Sequence, residues 1–186
     1  MSKKIGLICG SLRANSYNRI VGEAVAALDV PAEFHWIDIG NLPLFNEDLE
    51  GDNLPKSVAV FNNAVRQSDG ILIVSPEYNS GMSGALKNAL DWASRPPRSS
   101  VIHRKPVGLI GATPGGLGTA FSQRQIRQTL DAVQALVLPF QKVLISQVHE
   151  KIDAEQRVLT DEKTKQYVQR YVLQLINWID NVPVLD

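Results

Sequence analysis

Residues 5–18, which read IGLICGSLRANSYN, decide the fold of this chain. The apolar run from Ile5 to Cys9 predicts a short buried strand, and helical periodicity begins at Tyr17. A loop that joins a strand to a helix in this way places main-chain N–H groups at the positive end of the helix dipole, where they face one point. The stretch therefore predicts a binding site for a phosphate group.

The side chains of this loop also suit a phosphate. Ser11, Ser16 and Asn18 supply hydrogen-bond donors, and the guanidinium of Arg13 can bind two phosphate oxygens at once. The loop contains neither the G-x-G-x-x-G pattern of dinucleotide sites nor the Gly-Lys-Ser/Thr ending of nucleoside triphosphate loops. An ordinary strand-to-helix turn with a polar cap is the alternative interpretation.

Length and composition restrict the class of protein. The 186 residues predict one domain over residues 1–186, and 44% hydrophobic with 20% charged residues is typical of a globular chain. A formal net charge of zero argues against a nucleic-acid-binding protein. A protein that only carries electrons between protein partners is expected to have an acidic docking surface, so a net charge of zero argues against that class as well.

The single cysteine and the N-terminus carry further information. Cys9 lies in the first apolar run, which predicts a buried thiol rather than a catalytic one and allows no disulfide within the chain. Residues 1–4 lead directly into the first strand, so we expect neither a signal peptide nor a membrane span. A cytoplasmic protein is the resulting expectation.

Apolar periodicity divides the rest of the chain into alternating strands and helices. Further strands are predicted over 33–39, 70–75, 106–110 and 143–146, and helices over 17–28, 55–68, 83–93, 120–136 and 161–180. Residues 151–162 are polar and predict a loop. Five strands that alternate with five helices predict a three-layer α/β/α sandwich around a parallel sheet. At this length the flavodoxin-like strand order 2-1-3-4-5 is expected.

Three unusual loops follow the first, third and fourth predicted strands, at residues 10–18, 76–81 and 111–118. In the order 2-1-3-4-5 these strands are neighbours, so their C-terminal loops border one crevice. The second loop offers the ring of Tyr78 and the amide of Asn79, and the third is rich in glycine, which lets its main chain approach a flat ring closely. The three loops together predict a site for a phosphorylated planar ligand.

Two segments carry a resemblance to a known family. Residues 10–13 (GSLR) with 16–18 (SYN), and residues 76–79 (PEYN) with 84–91 (GALKNALD), resemble the signatures of NADPH-dependent FMN reductases, and of their quinone and chromate reductases in particular. The resemblance implies FMN as bound cofactor and NADPH or NADH as co-substrate. Residues 81–83 (GMS) depart from the Ser-Val-Pro-like turn of many relatives.

The resemblance also implies which residues hold the flavin. It implies no metal, and it implies that flavin N5, rather than a catalytic side chain, carries the chemistry. The implied phosphate and ribityl contacts are Ser11, Arg13, Ser16, Tyr17 and Asn18. The implied ring contacts are Pro76, Glu77, Tyr78, Asn79 and Ser80, and the implied far wall is Thr113 and Gly115.

Three of these residues have alternative interpretations. Tyr78 also suits a packing residue at a strand end, and Asn79 suits a turn former. Glu77 suits a general base or, more readily, an ion pair, because hydride transfer to a flavin needs no strong base.

The resemblance implies a homodimer or homotetramer in which the helix over 83–93 meets a partner subunit. On this helix Trp92 suits either that interface or the core, and Lys87 with Asp91 suits a surface ion pair. The other expected partners are small-molecule electron acceptors, with no nucleic acid.

The expected function is that of an FMN-dependent NAD(P)H oxidoreductase with two half-reactions. Hydride passes from the nicotinamide to flavin N5, and a quinone, chromate or an azo compound then takes the electrons. A flavodoxin-like electron carrier, reduced by a protein partner, is the alternative. A receiver-type signalling domain shares the strand order but needs acidic residues where this chain has 9–11 (CGS) and 75–76 (SP). The choice between NADPH and NADH stays open, since Arg13, Arg95 and Arg104 each suit a 2′-phosphate or another role.

Overall fold

The central feature of the fold is a parallel sheet. The computed structural model describes residues 2–182, apart from the side chain of Arg98. The strands of the sheet are β1 Lys3–Cys9, β2 Ala32–Trp36, β3 Gly70–Val74, β4 Pro106–Ala112, β5 Leu136–Val137 and β6 Val143–Ile145. They follow the order β2-β1-β3-β4-β5, and β6 also pairs with β4. The predicted order 2-1-3-4-5 is therefore confirmed, with β5 and β6 sharing the fifth position.

Helices cover both faces of this sheet. They are α1 Tyr17–Ala26, α2 Lys56–Gln67, α3 Gly84–Ala93, α4 Ala120–Ala132 and α5 Glu162–Asn181. Along β3, Leu72 and Val74 pack in a core with α1 and α5, whereas Ile71 and Ile73 pack in a second core with α2, α3 and α4. Every residue of β3 is buried, as expected of a central parallel strand. Across residues 2–182, no helix combines the length and apolarity that crossing a bilayer requires.

The prediction for the fifth strand was wrong in one respect. The predicted helix over 120–136 ends earlier, at Ala132, because Gln134 has a left-handed main chain (φ 58°) that an α-helix does not accommodate. Because the helix ends at Ala132, Leu136 and Val137 are free to form β5, which pairs with the start of β4. The other short strand, β6, pairs with the end of β4. Two short strands separated by residues 138–142 therefore replace the single strand that the sequence predicts.

The gap between β5 and β6 leaves one main-chain donor of β4 without a strand partner. The N–H of Leu109 donates instead to the hydroxyl of Tyr171 on α5, at 2.8 Å. Tyr171 is fully buried, and this burial raises the pKa of its hydroxyl, which is therefore neutral at physiological pH. A side chain from α5 thus completes the hydrogen bonding of the sheet.

Residues 151–162, predicted as a loop, contain a short antiparallel hairpin. Its strands are β7 Ile152–Asp153 and β8 Val158–Leu159. Ile152 and Leu159 pair with each other and are buried in the core that α1 and α5 share. Arg157, immediately before β8, has a left-handed main chain (φ 56°). The hairpin therefore packs against α1 and places an arginine at its turn.

The loop over residues 40–54 is bound to α3. The N–H of Phe45 donates to the side-chain oxygen of Asn88 at 2.8 Å. The carbonyl of Pro43 accepts from the Asn88 amide (2.9 Å) and from the Trp92 indole (2.8 Å). Trp92 is only 1% exposed within this one chain, which confirms the core interpretation of this residue.

The second loop of the predicted site is bound to the start of α4. One carboxylate oxygen of Glu77 accepts from the N–H groups of Phe121 (2.8 Å) and Ser122 (3.0 Å). These donors belong to the first turn of α4, where a negative charge also stabilises the helix dipole. The hydroxyl of Ser122 in turn donates to the carbonyl of Pro76 at 2.8 Å. Within residues 2–182, Glu77 therefore caps a helix instead of forming the expected ion pair.

Replacing Tyr171 by Phe tests how the sheet is completed. The variant keeps the ring but leaves the buried N–H of Leu109 without an acceptor, which costs about 1–3 kcal/mol. We expect the free energy of unfolding, measured by urea denaturation, to fall by that amount. Tyr167→Phe is the matched control, because the Tyr167 hydroxyl bonds to the carbonyl of Lys142 at an exposed position where water can replace it. Equal losses in both variants would contradict this role of Tyr171.

Replacing Glu77 by Ala tests the capping of α4. The variant removes the acceptor of two N–H groups, and we expect the free energy of unfolding of the ligand-free protein to fall by about 1 kcal/mol. Glu77→Gln keeps an acceptor oxygen and loses only the charge, so its loss should be about 0.5 kcal/mol. Urea denaturation measures both values, and an unchanged midpoint for Glu77→Ala would rule out the capping role.

Candidate active site

The loops after β1, β3 and β4 border one small cleft at the C-terminal edge of the sheet, with a volume of about 60 Å³. Its lining consists of Ser11, Arg13, Ser16, Tyr17, Asn18, Pro76, Glu77, Tyr78, Ala112, Thr113 and Pro114. Nine of these residues are predicted site residues. Asn79, Ser80 and Gly115 belong to the same loops but do not line the cleft. Ala112 and Pro114 were missed, because neither side chain carries a polar group that marks a site.

The N-terminus of α1 is open toward this cleft. Ser16 occupies the N-cap position, yet its side chain makes no capping hydrogen bond, and the first turn contains no acidic residue. The first N–H here with a main-chain partner is that of Ile20, which donates to the carbonyl of Ser16 at 3.1 Å. The N–H groups of the preceding turn are therefore available to an anion.

Asn18 joins the first loop to the end of β4. Its Nδ2 donates to the carbonyl of Ala112 at 2.9 Å, and its Oδ1 accepts from the N–H of Ala112 at 3.0 Å. The side chain is nearly fully buried, so water does not compete for these bonds. The carboxamide of Asn18 therefore shapes the cleft, and both of its polar atoms are already bonded to Ala112.

The first and second loops are also in contact. The hydroxyls of Ser11 and Tyr78 lie 3.2 Å apart, within hydrogen-bond distance. The hydroxyl of Ser83, which caps α3, donates to the carbonyl of Gly10. Tyr78 is 45% exposed, which contradicts its interpretation as a packing residue and leaves its ring accessible beside the cleft.

Residues 78–81 form a tight turn with an unusual main chain. Tyr78 and Gly81 exchange two main-chain hydrogen bonds, at 3.0 and 2.9 Å. Between them Asn79 and Ser80 both have left-handed conformations, with φ of 49° and 59°. Asn tolerates this conformation, as its interpretation as a turn former requires, whereas Ser80 is strained by it. Strain of this kind is concentrated at ligand-binding segments.

The third loop contains two glycines that the fold itself does not require. A Cβ atom placed at Gly116 would meet no atom within 4 Å, and the nearest atom to one at Gly115 would be 3.8 Å away. Gly118, by contrast, has a left-handed φ of 65°, and Gly111 lies directly against the side chain of Thr119. Gly115 and Gly116 therefore leave a bare stretch of main chain next to the cleft.

Cys9 lies beneath the first loop. Its thiol is buried and donates to the carbonyl of Ser11 at 3.4 Å. Burial raises the pKa of this thiol, so it is protonated and unreactive near neutral pH. The expectation of a buried thiol is confirmed. In the part of the chain that the structure describes, no cluster of three or more His, Cys, Asp or Glu residues could hold a metal ion.

Comparison with known sequences identifies relatives of this chain. The family model for NADPH-dependent FMN reductase matches residues 3–150. A 2-hydroxy-1,4-benzoquinone reductase of a Burkholderia species is 36% identical over 181 residues, which cover 96% of this chain and 97% of the relative. An NAD(P)H-dependent FMN reductase of Pseudomonas aeruginosa is 38% identical over 92% of each chain.

A solved structure is also similar to this chain over nearly its whole length. The flavoenzyme NAD(P)H:(acceptor) oxidoreductase FerB from Paracoccus denitrificans matches with a TM-score of 0.87 and 35% identity, over 96% of this chain and 97% of that one. The matched region from residue 3 to residue 150 contains the whole sheet and all three loops of the cleft. Since sequence, fold and cleft agree over this region, the chain belongs to the NADPH-dependent FMN reductase family.

Proposed function

We propose that this chain is an enzyme that passes hydride from NADPH or NADH to flavin N5 and then delivers electrons to a small-molecule acceptor such as a quinone. The observation that supports this most is the single cleft that three loops border, in a member of the NADPH-dependent FMN reductase family. FMN, when bound, supplies a ring that accepts hydride from a nicotinamide and gives electrons to an acceptor. The chain binds that ring, orients it and stabilises its charge.

The cleft fits the phosphate of FMN. Its volume of about 60 Å³ is far below the roughly 300 Å³ or more of pockets that enclose a drug-sized ligand, so it would hold a small group and not a three-ring flavin. Uncapped N–H groups at the start of α1, the hydroxyls of Ser11 and Ser16, and the exposed guanidinium of Arg13 are the donors that a dianion requires. We assign the phosphate and ribityl contacts to Ser11, Arg13, Ser16, Tyr17 and Asn18, with Asn18 acting through its N–H.

The second and third loops would hold the flavin ring, because the cleft is too small to enclose it. The exposed ring of Tyr78 and the bare main chain at Gly115 and Gly116 offer flat surfaces on which it can lie. Main-chain N–H groups of these loops would stabilise the negative charge that a reduced flavin carries. We assign the ring contacts to Pro76, Glu77, Tyr78, Asn79 and Ser80, and the far wall to Thr113 and Gly115.

An aromatic acceptor suits the surroundings of this ring position. Leu117 in the third loop and Phe121 at the start of α4 are 69% and 44% exposed and offer apolar surface to a flat molecule. The Burkholderia relative is named a benzoquinone reductase, which supports a quinone as acceptor here. Chromate and azo compounds are proposed on the family resemblance alone.

We also propose that the protein forms a homodimer or homotetramer and works in the cytoplasm, where NAD(P)H is available. Leu12 and Leu44 are 60% and 82% exposed in the single chain, and a partner subunit would remove them from water. On the exposed side of α3, the expected ion pair between Lys87 and Asp91 is present at 2.7 Å. Light scattering on the purified protein measures the number of subunits.

The central test is the reduction of bound flavin by a nicotinamide. The protein loaded with FMN under anaerobic conditions should lose its visible absorbance on addition of NADPH or NADH, and regain it on addition of a quinone. Free FMN at the same concentration is the control for uncatalysed reduction. The alternative, an electron carrier reduced by a protein partner, predicts unchanged absorbance with both nucleotides, and that result would refute the proposed enzyme.

Arg13→Ala tests the phosphate site. Loss of a charge-assisted hydrogen bond to phosphate should raise the Kd of FMN by roughly 10- to 100-fold. Riboflavin lacks the phosphate, so its Kd should not change. Titration of flavin fluorescence measures both constants, and Arg66→Ala, which changes an exposed arginine at the end of α2, is the control. Equal weakening of FMN and riboflavin would contradict the assignment of Arg13.

A further inference from the structure

The β7–β8 hairpin lies outside the matched family region yet contacts the first loop. The family model ends at residue 150, whereas the hairpin spans residues 152–159. Nη1 of Arg157 donates to the carbonyl of Ala14, in the middle of the first loop, at 3.3 Å. A segment beyond the matched region therefore touches the loop to which we assign the phosphate of FMN.

Arg157 also binds the helix that follows this loop. Its Nη2 bonds to both carboxylate oxygens of Glu23 on α1, at 2.8 and 3.0 Å. Through these contacts one guanidinium joins the hairpin, the first loop and α1. Because the carboxylate of Glu23 offsets the charge of Arg157, the contribution of Arg157 to the loop is mainly geometric.

Residues 12–15, the middle of the first loop, have few other hydrogen bonds to hold them. Residues 12–15 are exposed. Within residues 2–182, the hydrogen bonds of this segment run from Arg13 to Ser11 and Asn15, which are its neighbours in the chain, and from Arg157 to Ala14. Arg157 is thus the group that fixes this segment from a distant part of the fold.

The main chain of Arg157 supports a role for its side chain. Its φ of 56° lies in the left-handed region, which is strained for a residue with a side chain and free of strain for glycine. A turn chosen only for its shape would favour glycine or asparagine at this position. The presence of arginine there is consistent with use of its guanidinium.

We propose that Arg157 is a positioning residue that holds the first loop in the geometry that binds the phosphate of FMN, and that it thereby sets the preference for FMN over riboflavin. The proposal depends on the assignment of the first loop as the phosphate site. Arg157 does not touch the phosphate itself. Its removal lets residues 12–15 adopt other conformations, so that FMN must order them on binding.

The experiment compares FMN with riboflavin in the full-length chain. For Arg157→Ala and Arg157→Gly, the Kd of FMN should rise roughly tenfold, and the Kd of riboflavin should change less than about twofold. Arg157→Gly removes the strain together with the guanidinium, so agreement between the two variants assigns the effect to the guanidinium. Arg157→Lys keeps one donor and should give an intermediate Kd.

Two further variants complete the design. Lys165→Ala, which breaks an exposed ion pair with Glu162 at 2.7 Å on nearby α5, is the control and should leave both constants unchanged. Glu23 also accepts from Nε of Arg19 at 3.4 Å, so Glu23→Gln is used only in combination with Arg157→Ala, and the two effects on the Kd of FMN should not be additive. If Arg157→Ala proves too unstable to purify, Arg157→Lys and Arg157→Gly decide the question, since glycine adopts the left-handed main chain without strain.

The outcomes separate this proposal from the proposed function. Equal affinity of the unmodified protein for FMN and riboflavin would refute the phosphate site, and with it both proposals. A strong preference for FMN that all Arg157 variants retain would overturn only the positioning role. Parallel weakening of FMN and riboflavin would also overturn it, because a general structural role changes both ligands alike.

Discussion

The site depends on the reciprocal hydrogen bonds between Asn18 and Ala112. Strands β1 and β4 are not neighbours, because β3 lies between them, so the loops that follow them start about 10 Å apart. Main-chain pairing cannot join two strands at that distance. The carboxamide of Asn18 does so by pairing with a peptide group as a neighbouring strand would, in a buried position where water does not compete.

Two further contacts make the three loops a connected set. Ser11 and Tyr78 join the first loop to the second, and Glu77 joins the second loop to the helix that follows the third. The first loop is thus bound to the second and the third, and the second is bound to the helix after the third, by hydrogen bonds that form without any ligand. Preorganisation of this kind lowers the entropy that a cofactor would have to remove on binding. Residues 12–15 are the part of the site with the least support of this kind.

The sequence was sufficient for the parts of the fold that long periodic segments build. The uninterrupted apolar run over 70–75 indicated a central strand, and the three loops were recognisable because each follows such a strand. Strands of two residues, such as β5 and β7, were not predicted, because apolar periodicity needs at least about four residues to be recognised. A left-handed residue such as Gln134 has no clear signature either.

The roles of Asn18 and Glu77 were beyond sequence reasoning for a different reason. Asn18 bonds to a residue 94 positions away, and Glu77 to residues 44 and 45 positions away. An amide or a carboxylate in a predicted site has the same appearance in the sequence whether it contacts a ligand or the main chain. Only the folded chain distinguishes the two, because the distance between the partners in space is not encoded locally.

The division of the outer strand into β5 and β6 affects how molecules of this protein behave at high concentration. A long, continuous edge strand exposes a row of donors and acceptors on which another chain can add. Here the edge beyond β4 consists of pieces of two and three residues, and Tyr171 occupies the donor between them. This edge is therefore a poor template for strand addition, and protection against aggregation follows from the same irregularity that the sequence concealed.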